Sequence, residues 1–348
     1  MHILDLAKFN NELIHIALLG FLGFIAAMAL TPIYTFFAYR YRFWKVQRTE
    51  SVTGEKAVIF NKLHAAKFRR NIPTMAGLIF VVVIIAITLL LNLDRRQTWL
   101  PLAALAGGAA VGLVDDIINL RGLGGGVKGL RAPIKFAMVL AVGLAAGLFF
   151  YYKLGYNAIH IPFFGAWEIG WWIVPIFTFI VVATGNAVNI SDGLDGLAGG
   201  LSAIAYGAFG IIAALQGNYG IAAFCFTVVG TLLSYVWFNI YPARFFMGDI
   251  GSFALGTALG VVAMMTDTVF LLPIIGILFV VEAGSSLLQI ASKKLRHGRK
   301  IFLSAPIHHH FEALGWPETK VTMRFWVIAQ AAAFGGLILA FSGGFIVK

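Results

Sequence analysis

Long apolar runs, broken by short polar stretches, occupy most of the chain. Ten of them approach or exceed the roughly 20 residues that a membrane-crossing helix needs. They lie near 13–38, 72–92, 98–114, 133–151, 169–187, 197–215, 220–240, 252–267, 268–291 and 323–346. None alternates with a period of two, so the segments are not those of a transmembrane β-barrel. The pattern predicts an all-α polytopic membrane protein of about ten transmembrane helices, with residues 1–348 forming one domain. Thr266-Asp267-Thr268 is predicted to be a tight turn between the eighth and ninth runs. Gly and Ala are frequent inside the runs, as close helix packing in lipid requires.

Composition agrees with this pattern: 60% of the 348 residues are hydrophobic and 12% are charged, with a mean hydropathy of +0.87. A soluble domain carries about 25% charged residues. The first run is too long for a signal-peptide core and lacks a basic start, so it reads as a retained span. The lone Cys225 lies inside an apolar run and has no second thiol to pair with. It reads as a small buried apolar residue.

The net charge of +11 does not point to nucleic acid, because its distribution follows the spans. Loops 39–71, 115–135, 188–196, 241–251 and 292–324 hold 21 of the 26 Lys and Arg. The positive-inside rule places these loops in the cytoplasm and both termini outside. Asp115, Asp116, Asp192, Asp195, Asp249 and the three consecutive histidines then all fall on the cytoplasmic face. With only 15 acidic residues in the chain, carboxylates gathered at one membrane boundary point to a site.

Four stretches carry its chemistry. Asp115-Asp116 ends the third run, and adjacent carboxylates favour a nearby cation, for which magnesium with phosphate oxygens is the usual solution. The Gly-rich stretch from Arg121 to Lys128 lacks the ending of a phosphate loop and reads as a flexible connector. Lys135 follows at a membrane face, where its ammonium either snorkels or holds an anionic head group. In the second stretch Asn186, Asn189, Asp192 and Asp195 are spaced three apart, near one face if helical geometry continues. Gly193 and Gly196 permit a tight turn there. The third runs from Phe238-Asn239 to Ser252, with Asp249 between two glycines. Phe246 in it is either a base-stacking ring or an interface anchor. In the fourth, His308, His309 and His310 are consecutive, so they do not converge on one metal ion, and they suit phosphate or sugar hydroxyls better. Glu282, within the ninth run, has no partner evident from sequence.

Together these stretches resemble the polyprenyl-phosphate N-acetylhexosamine-1-phosphate transferases. The residues that carry the likeness are Asp115-Asp116, Asn186-Ala-Val-Asn-Ile-Ser-Asp-Gly-Leu-Asp-Gly-Leu-Ala198, Phe246-Met-Gly-Asp-Ile-Gly-Ser252 and Ala305-Pro-Ile-His-His-His-Phe-Glu312. The triple histidine marks the muramoyl-pentapeptide branch. The resemblance implies a cytoplasmic-face cleft, magnesium, a homodimer and a place in the bacterial cytoplasmic membrane. It also implies attack by undecaprenyl phosphate on UDP-MurNAc-pentapeptide with release of UMP, either in one step or through a phospho-enzyme. By position, Asp249 is implied as the magnesium ligand, Asp115 and Asp116 as acting on the attacking lipid phosphate, and Lys135 as lying near the phosphates. Asn186, Asp192, Asp195, Asn239 and Phe246 are implied around the nucleotide, Asn189 and the histidine station His308 to His310 as further substrate-binding residues, and Lys67 or Arg69 as facing the uracil. The chain departs from the family at Asn119, where a lysine is usual, and in its longer, glycine-rich connector.

A transporter or flippase also has many spans and intramembrane acids. Transporters hold their coupling residues near the midplane, whereas here only Glu282 is expected there. A transferase acting on UDP-GlcNAc would share the aspartates but not the triple histidine.

Overall fold

In the computed structural model, residues 3–44, 71–122 and 129–346 are described. Lys67, Arg69 and Lys128 fall outside them. The helices are α1 (Ile3–Arg40), α2 (Gly77–Leu91), α3 (Trp99–Leu120), α4 (Ala132–Tyr152), α5 (Ile173–Ser191), α6 (Leu197–Leu215), α7 (Tyr219–Asn239) and α8 (Gly248–Met265). A four-residue α9 (Leu272–Ile275), α10 (Ile277–Leu295), a short α11 (Ile307–Ala313) and α12 (Glu318–Ser342) complete the chain. Among the described residues, eight helices are long and apolar enough to cross a membrane. The other two runs give α2, which has 15 residues, and α10, which carries Glu282, Lys293 and Lys294. The molecule is a multi-pass helical membrane protein.

The core is organised around α8, in which every residue from Gly248 to Met265 is buried. Its sequence is apolar or small on all sides, and a helix without a polar face belongs inside a bundle. Helices α2, α3 and α5 pack directly on it. Small residues set the approach. A Cβ at Gly112 of α3 would lie 2.1 Å from the Asp249 carbonyl oxygen, and one at Gly108 would lie 2.3 Å from Thr257 Oγ1. These two glycines are four apart on one face of α3, the small-xxx-small spacing that lets membrane helices touch backbone to backbone. Thr257 Oγ1 also donates to the Ala104 carbonyl at 2.8 Å, a hydrogen bond between the two helices.

The ninth, third and eighth runs differ from their predicted limits. The ninth is predicted to span 268–291, but Pro273 lies in the first turn of the short α9 and Gly276 leaves helical geometry (φ −94°, ψ 28°) before α10 begins. Helix α3 continues past 114 to Leu120, and α8 starts at Gly248, before the predicted 252. Asp115, Asp116 and Asp249 therefore lie on helices, not on loops. Carboxylates end an apolar run, but they do not end a backbone hydrogen-bond ladder.

The predicted turn is present: Asp267 has a positive φ of 55° and its carboxylate accepts from the His160 N–H at 2.9 Å. His160 belongs to a small antiparallel hairpin, β1 (Ala158–Ile161) paired with β2 (Gly165–Glu168). The hairpin, this turn and the C-terminal segment at Gly343 meet at one end of the bundle. The polar stations meet at the other end.

Candidate active site

Three helix ends deliver the first cluster. Asp115 and Asp116 come from the last turns of α3, Lys135 from the first turn of α4 and Asp249 from the first turn of α8. The Lys135 ammonium lies 3.0 Å from Asp115 Oδ2 and 2.5 Å from Asp249 Oδ2. Asp115 Oδ1 accepts from the Leu130 N–H at 2.6 Å, and Asp116 Oδ2 accepts from the Ile250 N–H at 3.0 Å. The two adjacent aspartates, each 1% exposed, thus have different tasks. Asp115 faces the shared cation, while Asp116 fastens the start of α8 to α3. Lys135 does not snorkel outward.

These donors fit magnesium. The oxygens of Asp115 and Asp249 already converge on one positive charge, and magnesium needs only one or two protein carboxylates when phosphate oxygens complete its shell. Among the described residues no group of three His, Cys, Asp or Glu forms a closed metal cage. A partner phosphate would have to supply the rest of the shell.

The second station joins α5 to α6. Asn186 donates to the Val182 carbonyl at 2.8 Å within its own helix. Asn189 reaches across to Ser252 Oγ at 2.8 Å, one turn beyond Asp249, and so ties this station to the first cluster. Helical geometry stops at Ser191, and Asp192 leaves it with ψ 55°. The expected single face of four polar groups is therefore split, with Asn186 and Asn189 on the helix and Asp192 and Asp195 on the turn after it. Gly196 takes a left-handed φ of 77° to start α6.

Asp195 and Asn239, both 3% exposed, hold loops in place. Asp195 Oδ2 accepts from the Ala243 N–H at 3.0 Å, while its backbone N–H donates to Glu318 Oε1 at 2.6 Å. Asn239 accepts from the Gly196 N–H at 2.9 Å and donates to the Phe245 carbonyl at 2.8 Å. Phe246 is half-buried, and its N–H donates to the Pro73 carbonyl at 2.8 Å. Glu318 had given no sequence signal beyond its place after Pro317, as a helix-starting acid.

The three histidines sit on α11, each with its Nδ1 engaged. His308 Nδ1 lies 2.7 Å from Glu282 Oε2, His309 Nδ1 2.7 Å from Glu312 Oε2, and His310 Nδ1 accepts from the Leu303 N–H at 3.1 Å. Only Nε2 of each ring is left for further contacts, and that of His308 is buried within the protein. Burial, with the neighbouring His308 ring, pushes His309 down to about 4 against the opposing pull of Glu312. It is neutral at physiological pH. Glu282 is not a midplane acid, since it meets the histidine station. A Cβ at Gly193 would lie 2.2 Å from His308 Nε2, so the histidines pack on the turn that carries Asp192 and Asp195.

A groove of about 600 Å³ lined by Thr31, Phe36, Tyr39, Phe238 and Arg244 contains none of these carboxylates.

The bundle holds a buried acid–lysine–acid cluster at one end, and its class is that of a membrane transferase: residues 98–267 match the family described as Glycosyl transferase family 4. The chain is 43% identical over 281 residues to a phospho-N-acetylmuramoyl-pentapeptide-transferase of Chloroflexus aurantiacus, covering 77% of each chain. It is 38% identical over 331 residues to the enzyme of that name from Geobacillus kaustophilus, covering 91% of this chain and 95% of the relative. Against that from Syntrophus aciditrophicus it is 35% identical over 305 residues. The chain belongs to the phospho-N-acetylmuramoyl-pentapeptide transferases.

Proposed function

We propose that this protein transfers phospho-MurNAc-pentapeptide from UDP-MurNAc-pentapeptide to undecaprenyl phosphate, producing lipid I and UMP for peptidoglycan. The observation that carries this reading is the Lys135 ammonium held between Asp115 and Asp249. Phosphoryl transfer needs positioning and charge neutralisation more than covalent help from the protein. The cluster supplies a fixed cation and two carboxylates that can share a second one. Asp249 and Asp115 would hold magnesium, which when bound neutralises diphosphate charge and stabilises the leaving UMP.

Lys135 stays beside the phosphates, and Asp116 keeps α3 and α8 in register through Ile250. A phosphate monoester has a second pKa near 6, so the lipid phosphate is already largely dianionic at neutral pH. No strong general base is required of Asp115 or Asp116. Asn186, Asn189 and Asp192 line the nucleotide side, with Asp195 and Asn239 bracing the loops around them. The Nε2 edges of His309 and His310 face the muramoyl-pentapeptide portion, while the buried His308 ring packs on the 192–195 turn and braces it. The site faces the cytoplasm, both termini lie outside, and the protein acts as a homodimer in the bacterial cytoplasmic membrane.

The test is release of UMP by purified protein given UDP-MurNAc-pentapeptide, a polyprenyl phosphate and magnesium. Turnover is expected to exceed that with UDP-GlcNAc in kcat/KM, because polar groups built for one substrate are left unpaired by another. A preference for UDP-GlcNAc would refute the assignment of the histidines.

A further inference from the structure

Helix α10 carries four buried polar side chains, Glu282, Ser285, Gln289 and Ser292. Their spacing of three, four and three keeps them on one helical face, while Leu287, Leu288 and Leu295 point outward. This face grips the segment that returns toward α11. Ser292 Oγ donates to the Arg299 carbonyl at 2.9 Å. Gln289 accepts from the N–H groups of Ile301 and Phe302 and donates to the Phe302 carbonyl. Ser285 Oγ accepts from the Ile307 N–H at 2.9 Å. Glu282 completes the series, but it differs from the other three. They hold backbone, whereas it holds an imidazole.

Glu282 and His308 are both 0% exposed. Burying a carboxylate is costly unless a strong partner answers it, and a bundle needing only volume would place Leu at this position. With Nδ1 bound to Glu282 at 2.7 Å, the His308 ring cannot turn without breaking that contact. Its Nε2 edge is thereby aimed at Gly193, where a side chain has no room. The His309 ring packs at a steep angle beside it, 4.1 Å between centroids.

We propose that Glu282 is a positioning residue for the donor side of the site, holding His308 so that the histidine segment and the 192–195 turn keep one arrangement for the muramoyl-pentapeptide. Glu282 touches no substrate itself. It acts through His308, and the role rests on the function proposed above. Orienting residues of this kind fix the tautomer of a ring and the direction in which it points.

The test uses the full-length purified protein and steady-state kinetics for both substrates, with thermal melting recorded for every variant. Glu282→Leu is expected to raise the KM for UDP-MurNAc-pentapeptide on the order of tenfold, the low end for losing a supporting shell, and to leave the KM for polyprenyl phosphate unchanged. Glu282→Gln keeps a hydrogen-bonding group at the same place and is expected to stay within about threefold of wild type. Gly193→Ala, which displaces the ring from the other side, is expected to reproduce the donor KM rise with Glu282 intact. The pair Glu282→Leu and Gly193→Ala combined should be no worse than the more damaging single change.

A well-folded Glu282→Leu protein with wild-type donor KM overturns the proposal. So does a loss confined to kcat with both KM values unchanged. If Glu282→Leu does not fold, Gly193→Ala decides, and an unchanged donor KM there is equally fatal. Failure of the wild-type protein to use UDP-MurNAc-pentapeptide would instead overturn the functional reading, and it is seen before any variant is compared.

Discussion

Gly112 carries no chemistry, yet its replacement by alanine is expected to disable the site. The added Cβ would lie 2.1 Å from the Asp249 carbonyl oxygen and 2.2 Å from its carbonyl carbon. Ordinary contact needs roughly 3.5 Å, so α3 and α8 must part by about 1 Å at this level. Both obstructing atoms are backbone of a fully buried helix, and no rotamer change relieves them. The displacement falls between Asp115 and Asp116 on one side and Asp249 on the other. Misplacement by about 1 Å can cost about a hundredfold in rate, equivalent to about 2.7 kcal/mol of barrier. Overpacking adds about 1–3 kcal/mol of lost stability.

The assay is UMP release at saturating magnesium, paired with thermal melting. Gly207→Ala serves as the control, since a Cβ there meets nothing within 4 Å. Gly112→Ala is expected to lose about two orders of magnitude in kcat with at most a modest loss of Tm, while Gly207→Ala remains near wild type. Near-normal kcat in Gly112→Ala would refute the view that backbone contact between α3 and α8 sets the spacing of the carboxylates.

Five further outcomes are expected. Asp249→Asn should remove nearly all turnover while the protein stays folded, with kcat falling more than KM rises. Lys135→Met should melt lower without magnesium, because the Asp115 and Asp249 carboxylates then face each other uncompensated, and added magnesium should restore more stability to it than to wild type. Asp195→Ala should lower stability by about 1–3 kcal/mol by orphaning the buried Ala243 N–H, read as a drop in Tm. Acid should destabilise the protein through His309. Its imidazole titrates near 4 when folded and near 6.5 when unfolded, so the unfolded chain takes the proton first. Stability is complete above about 6.5 and falls by about 3 kcal/mol toward pH 4, and a His309→Gln protein should show a shallower loss of Tm over that range. Finally, single cysteines placed in loops 241–251 and 292–324 of a Cys225→Ser protein should be labelled only from the cytoplasmic side.

The periodicity of apolar residues was enough to find the helices, because lipid leaves the backbone no alternative to satisfying its own hydrogen bonds. It was not enough to end them. Asp115 and Asp249 break the hydropathy while sitting inside helices, since a helix emerging from lipid has no reason to unwind at its first carboxylate. The identity of the polar residues was also legible, because an acid at a membrane boundary is rare and expensive. Their division of labour was not. Asp115 and Asp116 are neighbours of the same type, and only the rotation of α3 against α8 decides that one faces Lys135 and the other the Ile250 N–H.

The same limit explains Glu282. Sequence separation of 26 residues hides its contact with His308, and hydropathy placed it in mid-span, where an acid without a partner would be hard to tolerate. Once α10 begins at Ile277 after the break at Gly276, that acid moves from the midplane to the active end. The transporter alternative depended on an acid at the midplane, and the break removes the one residue that offered it. The polar residues left inside the bundle are largely Thr and Ser hydroxyls bonded to backbone carbonyls, such as Thr178, Thr227 and Thr257. Such groups pack helices together and do not carry ions. The acids buried among the described residues, Asp115, Asp116, Asp195, Asp249, Glu282 and Glu312, gather instead at one end of the bundle, as chemistry at a membrane boundary requires and ion passage through the midplane does not.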